Sequence, residues 1–164
     1  MSDTYARLIA LLDAEGARYR FIDHEPEGQT DRVSALRGHP VGAAAKCIVM
    51  IVKTGRKSTQ FVLVVVPGNA RVDTGKVRRL FDGATYLGFA AVDVAERLAG
   101  SVAGTILPFA LNPELTLVAD PDLERHKEIF FNAARLGRSM ALATEDYVRI
   151  ARPRVASVVS SVAA

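Results

Sequence analysis

A single lysine, Lys46, has the surroundings that chemistry on a charged substrate requires. It follows the small-residue run Gly42-Ala43-Ala44-Ala45 and directly precedes an apolar stretch that begins at Cys47. A lysine at the mouth of a buried strand, with neighbours too small to cover it, can present a cation to an anionic substrate. The alternative is a strand-end lysine whose charge simply reaches solvent. Position alone favours this alternative, so the functional interpretation depends on the rest of the chain.

Other common catalytic groups form no recognisable motif. The three histidines, His24, His39 and His126, are far apart, and none has a histidine or cysteine partner at the spacing of a zinc site. Cys47 lies inside an apolar run, which predicts a buried, reduced thiol. No Gly-x-Ser-x-Gly segment marks a serine nucleophile. We therefore expect no metal and no other cofactor, and water is the expected attacking group if the chain is a hydrolase.

Length and composition indicate an ordinary globular domain. The chain has 164 residues, of which 49% are hydrophobic and 24% are charged, and this is enough for one core. The formal net charge of +3 permits contact with a polyanion without demanding it. The first four residues lack the basic and long apolar segments of a secretory signal, and no apolar stretch approaches the length of a membrane span. We expect a cytoplasmic location.

Apolar periodicity and turn residues predict the elements that position Lys46. Helices are predicted over about 4–15, 31–37, 72–81, 92–98 and 144–152, with Thr144 as the N-cap of the last one. Strands are predicted over about 19–22, 45–53, 60–66, 115–119, 127–131 and 139–143, and 45–53 pairs with 60–66 as an antiparallel hairpin at the centre of a sheet. The proline-broken segment 105–113 is predicted to be a packed wall, and about 156–164 a frayed or lightly docked, flexible tail.

Three segments, taken in order, resemble one known family. They are His24-Glu25-Pro26 followed by Ala45-Lys46 and its strand, then Val66 to Asp73 leading into a helix, then Gly100 to Phe109 with its Pro-Phe pair. Their order and spacing resemble the YbaK/prolyl-tRNA synthetase-associated editing-domain family, which includes free-standing trans-editing proteins. The resemblance covers about residues 5–152. Segments 129–133 and 146–151 are most similar to the YeaK-type branch of that family.

The resemblance implies a fold, an activity and a partner. The implied fold is one α/β domain over residues 1–164, with a mixed, curved, barrel-like sheet flanked by helices. The implied activity is hydrolysis, in trans and without a metal, of the ester between a wrong amino acid, such as Ser, Thr or Ala, and the 3′-terminal adenosine of a tRNA. The strands over 127–143 lack the histidine expected of alanine-editing relatives, which disfavours alanine. We expect aminoacyl-tRNA as the partner, with a synthetase as a further candidate, and neither DNA nor a membrane.

The resemblance places Lys46, Gly104 and Thr105 in the catalytic site. Ester hydrolysis passes through a tetrahedral oxyanion, so the site needs donors aimed at that charge, a positioned water and a hold on the tRNA end. We expect Lys46 to pair with the terminal phosphate or with the developing charge. Backbone groups around Gly104 and Thr105 can approach the ester closely because glycine has no Cβ. The adenosine 2′-hydroxyl is expected to help orient the water.

Four further residues are predicted to bind substrate. Pro108 and Phe109 are expected to form a rigid pocket wall, with core packing as the alternative. Asn132, or the Thr105 hydroxyl, is expected to hydrogen-bond a polar side chain such as that of serine or threonine. The alternative for Asn132 is an amide that satisfies backbone groups. His24 is expected to line the entrance, with a surface strand end as the alternative.

Two functions from other classes stay open at this point. One is a non-catalytic module that binds aminoacyl-tRNA or a synthetase. The other is a hydrolase for small aminoacyl esters that ignores tRNA, which the modest net charge does not exclude.

Overall fold

Helices and strands alternate along residues 3–55 and 57–160, the part of the chain that this computed structural model describes. The α-helices are α1 (Asp3–Ala14), α2 (Thr30–Arg37), α3 (Thr74–Arg79), α4 (Val92–Ala99) and α5 (Thr144–Ala151). The strands are β1 (Tyr19–Asp23), β2 (Ala45–Thr54), β3 (Ser58–Pro67), β4 (Ala84–Phe89), β5 (Leu115–Ala119), β6 (Glu128–Arg135), β7 (Arg138–Ala143) and β8 (Arg154–Val155). Within these residues, no helix combines the length and the apolar character needed to cross a membrane.

The strands form two sheets. The larger has the order β4-β2-β3-β5-β8, with β2 and β3 antiparallel and both β3–β5 and β5–β8 parallel. The smaller is antiparallel, with the order β1-β7-β6. The predicted α/β class and the central hairpin are therefore confirmed. The sequence predicted one curved, barrel-like sheet. In the structure the strands form two sheets, and these do not close into a barrel.

The β2–β3 hairpin is buried on both faces, which explains its continuous apolar runs. Ala45 and Val49 face a large core that also contains residues of β6, β7, α1 and α5. Met50 and Val52 face a smaller core that includes residues of α3. An isolated parallel bridge between Ala44 and Phe130 joins the sheets just before β2 begins. Because of this bridge, the start of β2 lies beside β6.

Two local predictions differ from the structure. Strand β4 was not predicted, because Tyr86 and Phe89 lie exposed on this edge strand and hide its alternation. The last helix begins after Ala143, and Thr144 is its first residue instead of its N-cap. The hydroxyl of Thr144 donates to the His126 carbonyl at 2.6 Å, and no side chain caps this helix.

Of the two alternatives for the tail, frayed or lightly docked, residues 156–160 follow the docked one. The Val158 N–H donates to the Asp120 carboxylate at 2.9 Å, and the Ser160 N–H donates to the Arg71 carbonyl at 2.9 Å. Val158 is fully buried. Because Asp120 is itself buried, its carboxylate needs donors, and the tail supplies one. The rest of the predicted tail, residues 161–164, lies outside the described residues. The same holds for residues 1 and 2 of the segment in which no secretory signal was predicted.

An ion pair connects the start of β1 to α5. The Asp146 carboxylate accepts hydrogen bonds from the Arg18 backbone N–H at 2.9 Å and from Arg18 Nε at 3.0 Å. The side-chain hydrogen bond from Arg18 is the main cause that lowers the pKa of Asp146 from 3.8 to about 2. This carboxylate is therefore charged in the folded protein over a wider pH range than in the unfolded chain.

We predict that this pair makes stability depend on acid pH. Because the folded pKa of Asp146 is lowered, its contribution is present above the unfolded value of 3.8 and is lost as pH falls toward about 2. Urea unfolding of wild type and Asp146→Asn at neutral pH and near the acid limit checks this. Wild type should lose about 1 kcal/mol more than the variant, since the exposure of Arg18 weakens the pair. The exposed Asp82→Asn is the control, and equal losses in wild type and Asp146→Asn would contradict the prediction.

Candidate active site

A cavity of about 220 Å³ opens where the start of β2, helix α2 and the middle of β6 meet. Most of its lining residues have small or apolar side chains, and the charged and amide residues are Arg37, Lys46 and Asn132. The lining residues are Gly28, Thr30, Val33, Arg37, Ala44, Ala45, Lys46, Cys47, Gly104, Ile106, Phe131 and Asn132. Pockets for drug-sized ligands usually span about 300–1,000 Å³. This cavity therefore suits a small group at the end of a larger ligand.

Lys46 is half-buried in this wall, and its ammonium donates to the Ala70 carbonyl at 2.5 Å. An ammonium has three hydrogens, so the carbonyl leaves two for a ligand. Burial is the main cause that lowers the pKa of Lys46, and the charge of Arg71 lowers it further. Of the residues predicted to meet here, Lys46, Gly104 and Asn132 line one cavity, whereas Thr105 does not belong to its lining.

Gly104 brings two backbone segments into direct contact. Its φ is +87°, a left-handed conformation that favours glycine, and a Cβ added there would lie 2.8 Å from Gly28 Cα. The next residue, Thr105, is buried and donates its hydroxyl to the Val102 carbonyl at 2.7 Å. Thr105 therefore holds the turn that presents Gly104. A direct catalytic role for Thr105 stays a prediction.

The Asn132 side chain joins the segments around this cavity. Its amide nitrogen donates to the Glu27 carbonyl at 2.8 Å and to the Gly104 carbonyl at 2.9 Å. Its Oδ1 accepts from Arg37 Nη2 at 3.0 Å and from the Ser139 hydroxyl at 2.9 Å. A primary amide has two donor hydrogens and two acceptor lone pairs, and all four are used here. This geometry favours a positioning role for Asn132 over the predicted hydrogen bond to a substrate side chain.

Arg37 and Ser139 were not among the predicted site residues. Arg37 ends α2 and donates from Nε to the Ser139 hydroxyl at 2.7 Å, and burial lowers the pKa of its guanidinium to about 10. From the sequence alone, Arg37 resembles an ordinary surface residue, because a cation in the last turn of a helix interacts favourably with the helix dipole. A usable signal was the pair of polar residues Asn132 and Ser139 within otherwise apolar strands. The register of β6 and β7 places these two residues opposite each other.

The remaining predicted residues lie behind or beside the cavity wall. His24 Nε2 is 2.6 Å from the Ser139 hydroxyl, so His24 belongs to the polar network. Pro108 and Phe109 are buried, and the Phe109 ring packs edge to face against Phe131 with centroids 6.3 Å apart. Phe131 lines the cavity, so Phe109 supports its wall from the core side. Direct contact of His24, Pro108 or Phe109 with a substrate stays a prediction.

The described residues of this site offer neither a group of metal ligands nor a reactive thiol. Within residues 3–55 and 57–160, no group of three or more His, Cys, Asp or Glu residues gathers as metal ligands would. Burial raises the pKa of the Cys47 thiol, and a protonated thiol is a poor nucleophile.

We predict that the contact between Gly104 and Gly28 tolerates no side chain. Gly104→Ala adds a left-handed strain and a backbone clash, and should cost about 3 kcal/mol of unfolding free energy. Gly83→Ala is the matched control, because Gly83 has φ +73° and open space around the added Cβ. The control should cost about 1 kcal/mol from strain alone. Urea unfolding measures both, and equal costs would show that the contact contributes nothing.

The chain is similar to proteins of known activity and to solved structures. The multifunctional Ser/Thr-tRNA deacylase ProXp-y of Escherichia coli K12 is 41% identical over 155 residues, which are 94% of this chain and 92% of that protein. The structure of hypothetical protein APE2540 has a TM-score of 0.83 at 21% identity and covers 94% of this chain and 99% of its own. A candidate trans-editing enzyme for prolyl-tRNA synthetase has a TM-score of 0.76 at 22% identity, over 98% of this chain and 99% of its own.

The two structural likenesses show the fold alone, because their sequence identities are low. The family described as the aminoacyl-tRNA editing domain matches residues 24–150, which include the lining residues of the cavity. The family predicted from the three ordered segments is thereby confirmed. The chain belongs to the aminoacyl-tRNA editing domain family.

Proposed function

We propose that this protein is a trans-acting aminoacyl-tRNA deacylase that removes serine or threonine from mischarged tRNA. The observation that carries the proposal is the cavity that groups Lys46, the Gly104 backbone and small wall residues in a member of an editing family. The activity named for the 41% identical relative supports serine and threonine as the amino acids. The absence of a histidine from the strands over 127–143 disfavours alanine.

The size of the cavity supports a placement for each part of the substrate. A volume of about 220 Å³ accepts a seryl or threonyl group but not the nucleoside as well. The aminoacyl group therefore enters between Ala44, Ala45 and Gly104, and the terminal adenosine stays at the mouth. Lys46 is half-exposed in this wall, with free ammonium hydrogens, and binds the phosphate of the terminal nucleotide.

The reaction needs a positioned water more than a strong base. Water adds its oxygen to the ester carbonyl carbon, the carbonyl oxygen becomes an oxyanion, and the bond to the ribose oxygen then breaks. The ribose oxygen gains a proton, and the amino acid leaves as a carboxylate. The 2′-hydroxyl of the adenosine orients the water, and the Gly28–Gly104 contact admits the ester close to the backbone. Asn132 keeps this backbone in place.

Further partners and the cellular location are part of the proposal. We expect the protein to act on aminoacyl-tRNA in the cytoplasm, and a synthetase that releases mischarged tRNA is a candidate partner. DNA is not an expected ligand.

Deacylation assays with tRNAs that carry serine, threonine or alanine test the proposal. Wild type should release serine and threonine. Binding of the charged tRNAs at low salt without any hydrolysis would contradict the proposal and favour a non-catalytic module. Equal hydrolysis of a seryl-adenosine ester and of the full tRNA would favour a small-ester hydrolase that ignores tRNA.

We predict that Lys46→Ala lowers kcat/KM on seryl-tRNA by about 10- to 100-fold, the size of one charge-assisted hydrogen bond. Lys53→Ala is the matched control on the same strand, because Lys53 is exposed and outside the cavity, and it should behave as wild type. The Lys46→Ala defect should shrink on a seryl-adenosine ester without a phosphate. Wild-type activity of Lys46→Ala would remove Lys46 from the mechanism.

A further inference from the structure

Arg37 has an unusual charge environment. It is partly buried, yet no carboxylate in the described part of the chain lies within 4.0 Å of its guanidinium. The guanidinium donates instead to the neutral oxygens of Asn132 and Ser139. Every other described arginine either pairs with a carboxylate or is exposed to solvent. A partly desolvated cation without a counter-ion is costly, and its lowered pKa of about 10 still leaves it protonated near pH 7. This cost is offset when an anion binds beside it.

The free face of the guanidinium is a two-pronged donor. Nε and Nη2 lie on one edge of the group, and that edge is occupied by Ser139 and Asn132. The other edge, formed by Nη1 and the second Nη2 hydrogen, has no hydrogen-bond acceptor among residues 3–55 and 57–160. Such an edge fits two oxygens on one atom. Arg37 lines the same cavity as Gly104, so a bound acyl group can reach this edge.

On the basis of the proposed deacylase function, we infer that Arg37 is a catalytic residue that binds the oxyanion formed when water adds to the ester carbonyl. In the proposed placement, the acyl group lies in the cavity and the terminal nucleotide stays at its mouth, where Lys46 binds the phosphate. The anion beside Arg37 is then the one formed on the acyl carbon. In the tetrahedral intermediate, the former carbonyl oxygen and the added water oxygen sit on one carbon. Arg37 donates hydrogen bonds to both and transfers no proton.

Single-turnover kinetics test this role. Arg37→Gln should slow hydrolysis of seryl-tRNA by about 10²- to 10³-fold, the usual cost of losing one oxyanion donor. The slowing should be the same on a seryl-adenosine ester without a phosphate. On alanyl-tRNA, which is expected to be a slow substrate of wild type, the ratio of the variant rate to the wild-type rate should also be the same. Arg37→Lys keeps the positive charge but not the two-pronged guanidinium edge, so its hydrolysis rate should lie between those of wild type and Arg37→Gln. Arg32→Gln, on an exposed position of the same helix, should match wild type.

Three kinetic results would overturn the inference. A defect that disappears on the phosphate-free ester would make Arg37 a phosphate anchor. A defect limited to seryl- and threonyl-tRNA would make it a receptor for the side-chain hydroxyl. A defect in KM with unchanged kcat would make it a residue for ground-state binding. Thermal unfolding of each variant checks folding, and Arg37→Lys replaces Arg37→Gln if the latter does not fold.

An equilibrium measurement separates this inference from the proposed function. The probes are 3′-seryl-amido-adenosine, which keeps a planar carbonyl, and its phosphonamidate counterpart, which is tetrahedral and anionic. Wild type should bind the anionic probe more tightly, and Arg37→Gln should lose that preference. A wild type that keeps the preference but hydrolyses no charged tRNA would sink the deacylase proposal and leave the anion site. Wild-type hydrolysis of seryl-tRNA by Arg37→Gln would overturn the role of Arg37 and leave the deacylase proposal intact.

Discussion

The hydrogen bonds of one buried amide, that of Asn132, hold the candidate site together. The amide reaches the carbonyl groups of Glu27 and Gly104 on one side, and Arg37 and Ser139 on the other. A buried amide that loses one partner costs about 1–3 kcal/mol, so these four contacts form as a set. Without them, the two glycine segments would have no fixed separation and Arg37 no fixed orientation. The geometry of the site therefore follows from the need of a buried polar side chain, within an otherwise apolar sheet, to form all of its hydrogen bonds.

The fold supplies the second constraint, which is the meeting of the two sheets. The bridge between Ala44 and Phe130 brings the start of β2 to β6, and the small residues just before and at the start of β2 leave space there. Lys46 extends from that point, and Asn132 lies two residues beyond the bridge on β6. Catalytic groups on strands are more rigid than groups on loops. During the reaction we therefore expect the water and the substrate to move more than Lys46 and Asn132.

Much of this arrangement could be predicted from order along the chain. The small residues before Lys46 were expected to leave the lysine uncovered, and Gly104 was expected to let the backbone approach the ester. The structure places both features in the lining of one cavity. The helices predicted over 31–37 and 92–98 are also present. Each ends at a glycine, Gly38 or Gly100, whose positive φ is one that other residues avoid. These features are local, so sequence patterns contain them.

The roles of Arg37, Ser139 and Asn132 depend on tertiary contacts and could not be predicted in this way. Asn132 faces Ser139 only through the register of β6 and β7, and Arg37 reaches both from a helix almost a hundred residues away in the chain. The docked segment 156–160 depends in the same way on the buried Asp120 carboxylate. In each case a buried polar group decides the partner, and periodicity of apolar residues does not report it.

Mapping the binding position of 3′-seryl-amido-adenosine by NMR tests the central claim most directly. The account predicts that the backbone amides of Gly28 and Gly104, and the side-chain signals of Arg37 and Asn132, shift on titration. A larger groove of about 530 Å³, lined in part by Pro40, Lys76 and Val159, should not respond. Shifts confined to that groove, with none at Gly104, would contradict the assignment of the cavity as the site of hydrolysis.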